Sequence, residues 1–423
     1  MRLKGFIHKA PVILSAALIG IVMATRTLAG VAPPTGLKLV TLSDEIPPSF
    51  FGMHQIDGRI WPTVPLGALG KGTGVSWIYI ETSRGTYNWQ NLDSWVNLAQ
   101  SHGVSFFWSN QGVPRWAAAD QSTCHPSYSG SPVDKCYSMV SDITYWDEFI
   151  TQLATRYKGK LIYELWNEPN TIYYTGTVQE MVLLTSHMYN IIRSIDPDAI
   201  IISPSGEDAY MEKYFAAGGV RTVDVISLHG HLSFKGQNMV PETIGGSLSV
   251  PLKAVMAKYG LSQKPLWDTE GSWGDTNSGA ITDPDLQAAF LARYYLLHWS
   301  NGITRFYWYA WDSKTWGTLW DPVTGSHSAT AAYQEVYSWM VGARMVGPCS
   351  MNGGTIYSAT YTCDLVRDGG YSARAVWNTD GDTKFVVPST YTQYRDLEGR
   401  VHPIPPDRSI TIGKKPTLLE HLK

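Results

Sequence analysis

The sequence has few charged residues and few cysteines, and beyond its N-terminus it has no long hydrophobic run. Charged residues make up 16% of the 423 residues, and 33 Lys and Arg against 36 Asp and Glu leave a formal net charge of −3. Because no basic run is present, neither nucleic acid nor an anionic membrane surface is an expected partner. The 44% of hydrophobic residues are enough for a packed core and exclude an intrinsically disordered chain.

The N-terminus has the three parts of an export signal. Met1–Lys9 is basic, Ala10–Ala24 is apolar, and Thr25–Ala29 ends in small residues that suit cleavage after Ala29. The apolar stretch of about 15 residues is shorter than the ~20 residues that a membrane span needs. We therefore expect residues 1–29 to be the signal peptide of a secreted or periplasmic protein. An uncleaved N-terminal anchor is the alternative.

The four cysteines fall into two pairs that are each local in sequence, Cys124 with Cys136 and Cys349 with Cys363. An even number of cysteines in an exported chain favours disulfides. The closely spaced cysteine pairs of a zinc site are absent. We therefore predict two disulfides, with no metal and no cofactor.

Short runs rich in apolar, β-branched and aromatic residues alternate with helical patterns. The eight runs are Ser49–Gln55, Val75–Glu81, Ser105–Gly112, Leu161–Asn170, Ala199–Gly206, Val223–His231, Lys264–Trp273 and Arg305–Asp312. Apolar residues at helical spacing predict helices over Asn91–Ser101, Asp142–Tyr157, Val178–Ile195, Asp283–Trp299 and Ala329–Met340. This alternation predicts an α/β fold, a (β/α)₈ TIM barrel. An open doubly wound sheet is the alternative, but no Gly-x-Gly-x-x-Gly follows the first run.

Two stretches do not follow the barrel pattern. Leu66–Gly74 is rich in glycine but lacks the spacing of a phosphate-binding loop, so we predict a loop there. After Val341 the helical period disappears, and strands are predicted over Thr355–Thr362, Ser372–Asn378, Thr383–Pro388 and Arg408–Ile412. We therefore expect a barrel over residues 30–341 and a small antiparallel β-domain over residues 342–423. The segment Leu37–Leu42 is a candidate extra strand of that β-domain.

Two of the predicted strands end at glutamates. Strand four ends at Asn167-Glu168-Pro169, and strand seven ends near Glu270. In an eight-stranded barrel the carboxyl ends of these strands lie nearly opposite each other across one mouth. Hydrolysis of an acetal needs such a pair, because one carboxyl group protonates the leaving oxygen while the other stabilises or traps the carbon that it leaves. Glu164 and Asp268 are rival carboxylates, but they lie deeper in the same two strands.

These motifs resemble those of the clan A retaining glycoside hydrolases, and most of all those of glycoside hydrolase family 39. Asn167-Glu168-Pro169 is similar to the acid/base motif of that family. Further similar segments are Asp224–His229 on the sixth strand, and Gly85–Trp89 and Gly112–Trp116 in the second and third βα units. The resemblance implies that Glu168 is the acid/base and Glu270 the nucleophile, with carboxyl groups about 5–5.5 Å apart. It also implies a protonated Glu168 beside an ionised Glu270.

The resemblance implies several contacts with a sugar. Asn167 would bind the hydroxyl beside the anomeric carbon, His229 would orient the nucleophile or contact the substrate, and Trp308 would form the floor of the reactive subsite. The remaining candidate contacts are His54 at the end of strand one and four aromatic side chains near strand ends or in loops, Trp116, Trp273, Trp311 and Trp316.

The sequence departs from the family at two places near the nucleophile. The family often has a tyrosine where this chain has His231. An arginine of strand two should also lie close to the nucleophile, but in the predicted strand the nearest arginine is Arg84, which is out in the loop. The roles of these two positions are therefore left open.

Together these observations predict a secreted, monomeric and metal-independent retaining β-glycoside hydrolase that acts on an oligosaccharide or polysaccharide by double displacement. Several candidate tryptophan platforms favour a long groove and therefore endo action. Two alternatives stay open: an exo-acting enzyme resembling the β-xylosidases, and a carbohydrate-binding protein without catalysis. A Ser-His-Asp esterase is disfavoured because no Gly-x-Ser-x-Gly motif is present.

Overall fold

The structure is a computed structural model that describes residues 37, 40–57, 60–128, 130–232, 240–278 and 281–421. The predicted signal peptide, residues 1–29, lies outside these ranges, as does part of the candidate strand Leu37–Leu42. None of the helices in the described ranges combines the length and the hydropathy that crossing a membrane would require.

Eight parallel strands form the central barrel. They are β1 (Phe51–Met53), β2 (Ala68–Leu69), β3 (Ser105–Ser109), β4 (Ile162–Glu164), β5 (Ile201–Ile202), β6 (Ile226–His229), β7 (Leu266–Gly271) and β8 (Ile303–Trp308). Strand β1 pairs with both β2 and β8, and the order continues to β5 on one side and to β6 on the other. A parallel bridge between Ile202 and Val225 connects the two ends of the sheet. The predicted TIM barrel is confirmed.

Helices follow the strands along the chain. They are α1 (Trp77–Ile80), α2 (Gln90–Ser101), α3 (Ile143–Arg156), α4 (Val178–Ile195), α5 (Asp208–Ala216), α6 (Val250–Lys258), α7 (Pro284–Ser300) and α8 (Ser328–Met340). The five predicted helices are confirmed as α2, α3, α4, α7 and α8. Asp142 and Asp283 cap the starts of α3 and α7, where their side chains accept hydrogen bonds from backbone N–H groups of the first turn.

The predicted position of the second strand is wrong. Val75–Glu81 contains the buried helical turn α1, and β2 lies instead inside the glycine-rich stretch that was predicted to be a loop. A Cβ atom on Gly67 would lie 2.2 Å from the backbone of Pro48, and one on Gly70 would lie 2.6 Å from the ring of His54. The glycines thus let β2 pack closely beside β1. Because β2 has only two residues, it lacks the sequence pattern by which a longer strand is recognised.

The C-terminal part of the chain is an antiparallel β-structure, as predicted. Its strands are Arg344–Met345, Ser350–Gly353, Ala359–Val366, Ser372–Asn378, Thr383–Val386, Gln393–Arg395, Val401–Pro403, Ser409–Ile412 and Thr417–His421. All pair antiparallel with their neighbours. The predicted disulfides are present. One closes a hairpin of Cys124–Pro126 with Asp134–Cys136, and the other joins Cys349 to Cys363.

A buried ion pair of the barrel accepts a hydrogen bond from the C-terminal sheet. Arg293 of α7 lies 3.1 Å from the carboxylate of Glu242, and the indole N–H of Trp377 donates to the same carboxylate at 2.8 Å. Both charged side chains are almost fully buried. A buried charge without its partner is strongly destabilising, so the pair stabilises the barrel, and the hydrogen bond from Trp377 attaches the sheet to it.

Candidate active site

Glu168 and Glu270 line one cavity at the carboxyl ends of the barrel strands. The cavity has a volume of about 710 Å³. Its other charged and aromatic lining residues are Tyr173, Glu207, Asp208, His229, His231, Tyr309 and Trp316. Glu168 comes four residues after the end of β4 and Glu270 lies within β7, so the barrel brings together two carboxylates that are far apart in sequence.

His229 lies between the two carboxylates. It is the last residue of β6, and the pairing of β6 with β7 places it opposite Glu270. Its Nδ1 atom is 2.8 Å from Oε1 of Glu168, and its Nε2 atom is 3.9 Å from Oε2 of Glu270. One imidazole ring therefore spans the space between the two glutamates.

The charges around His229 decide where the proton lies. Burial would lower the pKa of His229, but the charge of Glu270 and the hydrogen bond with Glu168 outweigh it and raise the pKa to about 9. Burial would likewise raise the pKa of Glu168, but the hydrogen bond and charge of His229 hold it below its ordinary value. These opposite shifts favour the proton on His229 in the free protein, whereas the resemblance implies a protonated Glu168.

Lys71 holds the nucleophile candidate. Its Nζ atom is 3.0 Å from Oε2 of Glu270 and also donates a hydrogen bond to Oδ1 of Asn167. Burial alone would raise the pKa of Glu270, but the charges of Lys71 and His229 keep it well below its ordinary value. Glu270 is therefore ionised, which is the state that a nucleophile needs.

Lys71 is a candidate site residue that sequence reasoning missed. It follows β2 by two residues and gives the nucleophile a cation from strand two, where the resemblance implied an arginine. It was missed because strand two was assigned to the wrong segment. The signal that could have found it is a lysine directly after a glycine-flanked apolar pair, Ala68-Leu69, in the stretch read as a loop.

His231 also contacts the nucleophile. Its Nε2 atom lies 3.6 Å from Oε1 of Glu270 and its ring packs edge-on against Trp316, with ring centroids 4.9 Å apart. Oγ of Ser272 is 3.4 Å from Nδ1 of His231. At the position where the family often has tyrosine, this chain therefore has an imidazole beside the same carboxylate.

The two rival carboxylates lie beneath the cavity floor. Asp268 is fully buried, pairs with Nε2 of His298 at 2.8 Å and accepts hydrogen bonds from the backbone N–H groups of Gly230 and Glu270. Glu164 is also fully buried and accepts from the hydroxyls of Thr269 and Ser227. These contacts give both side chains a supporting position below Glu270.

His54 and Asn167 support the site from within the barrel. His54 is fully buried, with Nε2 2.7 Å from the carbonyl oxygen of Thr269, and burial lowers its pKa to about 4. It is therefore neutral and links β1 to β7. Asn167 is 3% exposed, and its amide oxygen accepts from Lys71. Lys71 therefore connects Asn167, the residue predicted to bind the sugar hydroxyl, to Glu270.

The predicted tryptophan contacts are not brought to the cavity. Trp273, Trp308 and Trp311 are fully buried, and the indole of Trp308 donates to the carbonyl oxygen of Gly317. Trp116 is partly buried and donates to the carbonyl oxygen of Glu81. Trp316, which the sequence also offered as a sugar platform, is the exception: it lines the cavity together with Tyr173 and Tyr309, which sequence reasoning did not select.

A comparison with sequence families agrees with this geometry. The family model described as cellulase (glycosyl hydrolase family 5) matches residues 75–314, which is more than half of the chain. No protein of curated function matches the sequence at a significant level.

Solved glycoside hydrolase structures share the fold. A family 39 glycoside hydrolase from Bacteroides cellulosilyticus WH2 is 16% identical with a TM-score of 0.65, and the match covers 85% of this chain and 76% of that one. A family 39 β-xylosidase from Caulobacter crescentus is 12% identical with a TM-score of 0.61, covering 90% and 98%. A family 30 endoxylanase from Clostridium papyrosolvens C71 is 15% identical with a TM-score of 0.56, covering 91% and 99%.

Proposed function

The chain belongs to the cellulase family, glycosyl hydrolase family 5, and from this premise we propose that it cleaves internal bonds of an extracellular polysaccharide with Glu168 as acid/base and Glu270 as nucleophile. The enzyme is a retaining glycoside hydrolase of clan A. The observation that carries the residue assignment is the placement of His229 in contact with both glutamates at the cavity of about 710 Å³.

The first half of the reaction uses the proton of His229. When a glycosidic oxygen approaches Glu168, the proton passes from Nδ1 of His229 to Oε1 of Glu168 and from there to the leaving oxygen. Glu270, ionised beside Lys71, attacks the anomeric carbon and forms a glycosyl ester while the bond to the leaving oxygen breaks. Esterification removes the negative charge of Glu270. This lowers the pKa of Glu168 and favours the carboxylate form that the second half requires.

The second half regenerates the enzyme. Glu168, now a carboxylate, takes a proton from a water molecule as the water attacks the anomeric carbon, and the ester to Glu270 breaks. The sugar leaves with the configuration that it had in the substrate, the proton on Glu168 returns to Nδ1 of His229, and Glu270 returns to the ionised state beside Lys71.

Aromatic side chains around the cavity support the choice of endo action. Tyr173 follows β4, Tyr309 follows β8, and Trp316 lies in the same loop as Tyr309. Aromatic rings on separate sides of an opening suit several consecutive sugar units, because each ring can stack against the apolar face of one sugar. Exo action on a terminal unit is the alternative that product analysis distinguishes.

The proposal includes export of the protein and the limits of its domains. Two disulfides are compatible with an extracellular or periplasmic location. We assign residues 1–29 to a signal peptide, residues 30–341 to the catalytic barrel and residues 342–423 to the β-domain.

Trapping of the glycosyl ester tests the proposal. With 2-fluoro-glycosides of glucose and xylose, the intact protein should gain the mass of one sugar, and peptide mapping should place it on Glu270. Glu168→Gln and Glu270→Gln should each reduce turnover of β-linked glucan or xylan by about 10³-fold or more, in line with loss of a catalytic group. The matched control is Glu207→Gln, which neutralises another carboxylate of the same cavity.

The outcomes separate the possible functions. Near-normal turnover in either glutamine variant contradicts the assignment of the pair. Binding of the polysaccharide with neither turnover nor a trapped ester identifies a carbohydrate-binding protein. The size distribution of early products decides between endo action, which releases long fragments, and exo action, which releases only one small sugar.

A further inference from the structure

A disulfide-closed hairpin carries a lysine toward the active-site cavity. The hairpin of Cys124–Pro126 with Asp134–Cys136 is attached after β3, where Val113 and Cys136 exchange two backbone hydrogen bonds of 2.8 and 3.0 Å. Lys135 directly precedes Cys136. The disulfide and the backbone pairing thus fix the position of Lys135 relative to the barrel.

Lys135 lies among polar side chains next to the cavity wall. Its Nζ atom donates to Oε1 of Gln111 at 2.7 Å and lies 5.5 Å from the ring centroid of Tyr173, which lines the cavity. A second ring, that of Tyr137, is 6.0 Å away. Gly112 has a φ of +93°, and a Cβ atom there would be 2.4 Å from Cγ of Lys135, so glycine leaves the room that the lysine stem occupies.

This ammonium group has no counter-charge in the described part of the protein. No carboxylate of those residues forms a salt bridge with it, whereas Lys71 has Glu270 and Lys258 has Glu212. Burial, together with the charge of Lys71, lowers the pKa of Lys135 to about 8. A partly buried cation held only by an amide oxygen and aromatic rings offers a binding site for an anion.

We propose that Lys135, with Gln111 and Tyr173, binds the carboxylate of a hexuronic acid unit in the polysaccharide, at a subsite beside the point of cleavage. Lys135 has N–H groups beyond the one that it donates to Gln111, and Gln111 and Tyr173 add an amide N–H and a hydroxyl. Donors around a cation match a carboxylate, which only accepts hydrogen bonds. The inference rests on the proposed glycoside hydrolase function and adds the chemical class of the substrate.

The negative charge elsewhere in the cavity limits where a hexuronic acid unit can bind. Glu207 and Asp208, at the start of α5, line the cavity together with the two catalytic candidates. Carboxylates repel an acidic sugar, so a uronic acid is accepted on the side of Tyr173, where Lys135 lies next to the lining, and is disfavoured beside these carboxylates. The enzyme should therefore prefer a heteropolysaccharide with acidic units at intervals over a polymer of uronic acid alone.

Binding to matched oligosaccharides tests this inference. The probes are β-1,4-linked glucose and xylose tetrasaccharides that carry one glucuronic acid unit, and the same tetrasaccharides after reduction of the carboxyl group to an alcohol. Calorimetry with the full-length Glu270→Gln protein avoids turnover. We expect the acidic member of at least one pair to bind about tenfold more tightly than its reduced partner, as one charge-assisted hydrogen bond provides.

Variants at the lysine decide the outcome. The ratio of the two affinities should fall to about one in Lys135→Met and be retained in Lys135→Arg, while Lys258→Met, which removes a lysine paired on the surface, should keep the wild-type ratio. A ratio near one in the parent protein, no binding of any probe, or a ratio that Lys135→Met leaves unchanged overturns the inference. A higher affinity for sulfated than for uronic acid probes assigns the site to another anion and also contradicts it.

Failure of this inference is distinct from failure of the proposed function. If the wild type forms the fluoro-sugar ester on Glu270 but shows no acidic preference, only the uronic acid subsite is wrong. If no ester forms and Glu270→Gln retains turnover, the hydrolase assignment of the two glutamates is wrong.

Discussion

The imidazole of His229 contacts the carboxylate of Glu168, with Nδ1 2.8 Å from Oε1. Because of this contact, His229 and Glu168 titrate as a pair that shares a single proton. The proton rests on the histidine in the free protein, because two negative carboxylates face the ring and raise its pKa to about 9. In the proposed mechanism the acid is therefore the pair and not the glutamate alone.

We predict that the alkaline limb of the pH profile of kcat/KM reports this pair. In the wild type, activity should fall as the pH rises through about 9, where His229 loses its proton. In His229→Gln, Glu168 must keep its own proton, so the limb should move to lower pH by about one unit or more. Profiles of both proteins on one substrate check this. An unchanged limb in the variant would show that His229 does not share the proton.

The same pKa shift has a consequence for stability. Because the pKa of His229 is raised in the folded protein, its stabilising contribution is complete below pH 6.5 and is lost as the pH rises through about 9. Denaturant unfolding at several pH values should show this loss in the wild type, and His229→Gln should show less of it.

We predict that Lys71→Met impairs the nucleophile. Without the ammonium group 3.0 Å from Glu270, the pKa of Glu270 rises, and the acid limb of kcat/KM should move to higher pH. The loss of a charge-assisted hydrogen bond predicts a fall in kcat/KM of about 10- to 100-fold near neutral pH. Lys71→Arg restores the charge and should recover most of the activity. Equal defects in both variants would indicate a packing role instead.

We predict different defects for two tryptophans of the loop after β8. Trp316 lines the cavity, so Trp316→Ala should raise KM about tenfold while the melting temperature changes little. Trp311 is fully buried, so Trp311→Ala should lower the free energy of unfolding by about 3–5 kcal/mol. Steady-state kinetics and denaturant unfolding of both variants provide the comparison. A stable Trp311→Ala protein with a raised KM would return Trp311 to the substrate site.

We predict that Glu242→Gln destabilises the whole chain. The substitution leaves Arg293 buried without its counter-charge and weakens the contact with Trp377, which should lower the free energy of unfolding by about 3–5 kcal/mol. The control is Glu148→Gln, which breaks an exposed ion pair with Arg84 and should unfold like the wild type. Both are measured by denaturant unfolding. Equal stability of the two variants would show that the buried pair does not stabilise the chain.

Seven of the eight barrel strands could be placed from the sequence, because each is a run of apolar residues that ends at a polar cluster. The second strand could not. Ala68-Leu69 is too short to show a period, and the glycines around it reflect close approach to Pro48 and His54 and not a flexible loop. The longer apolar run Trp77–Ile80 has the composition of a strand but forms a buried helical turn.

A residue of the candidate site could be predicted only where a side chain of suitable chemistry stands at the end of a predicted strand. Glu168, Glu270 and His229 meet that condition, and the barrel brings them to one cavity. Lys71 depends on the position of strand two, so the error in the fold hid it. The tryptophans failed for a different reason: at a strand end the direction of a side chain decides between core and cavity, and composition does not give that direction.

Glu168 has a φ of +45°, in the left-handed region that side chains other than glycine rarely adopt. Holding a glutamate there opposes folding by about 1–3 kcal/mol. Glycine at this position would relieve the backbone strain but would also remove the carboxylate that pairs with His229. The strain and the ion pair therefore oppose each other at one residue, and the folded barrel tolerates the first to keep the second.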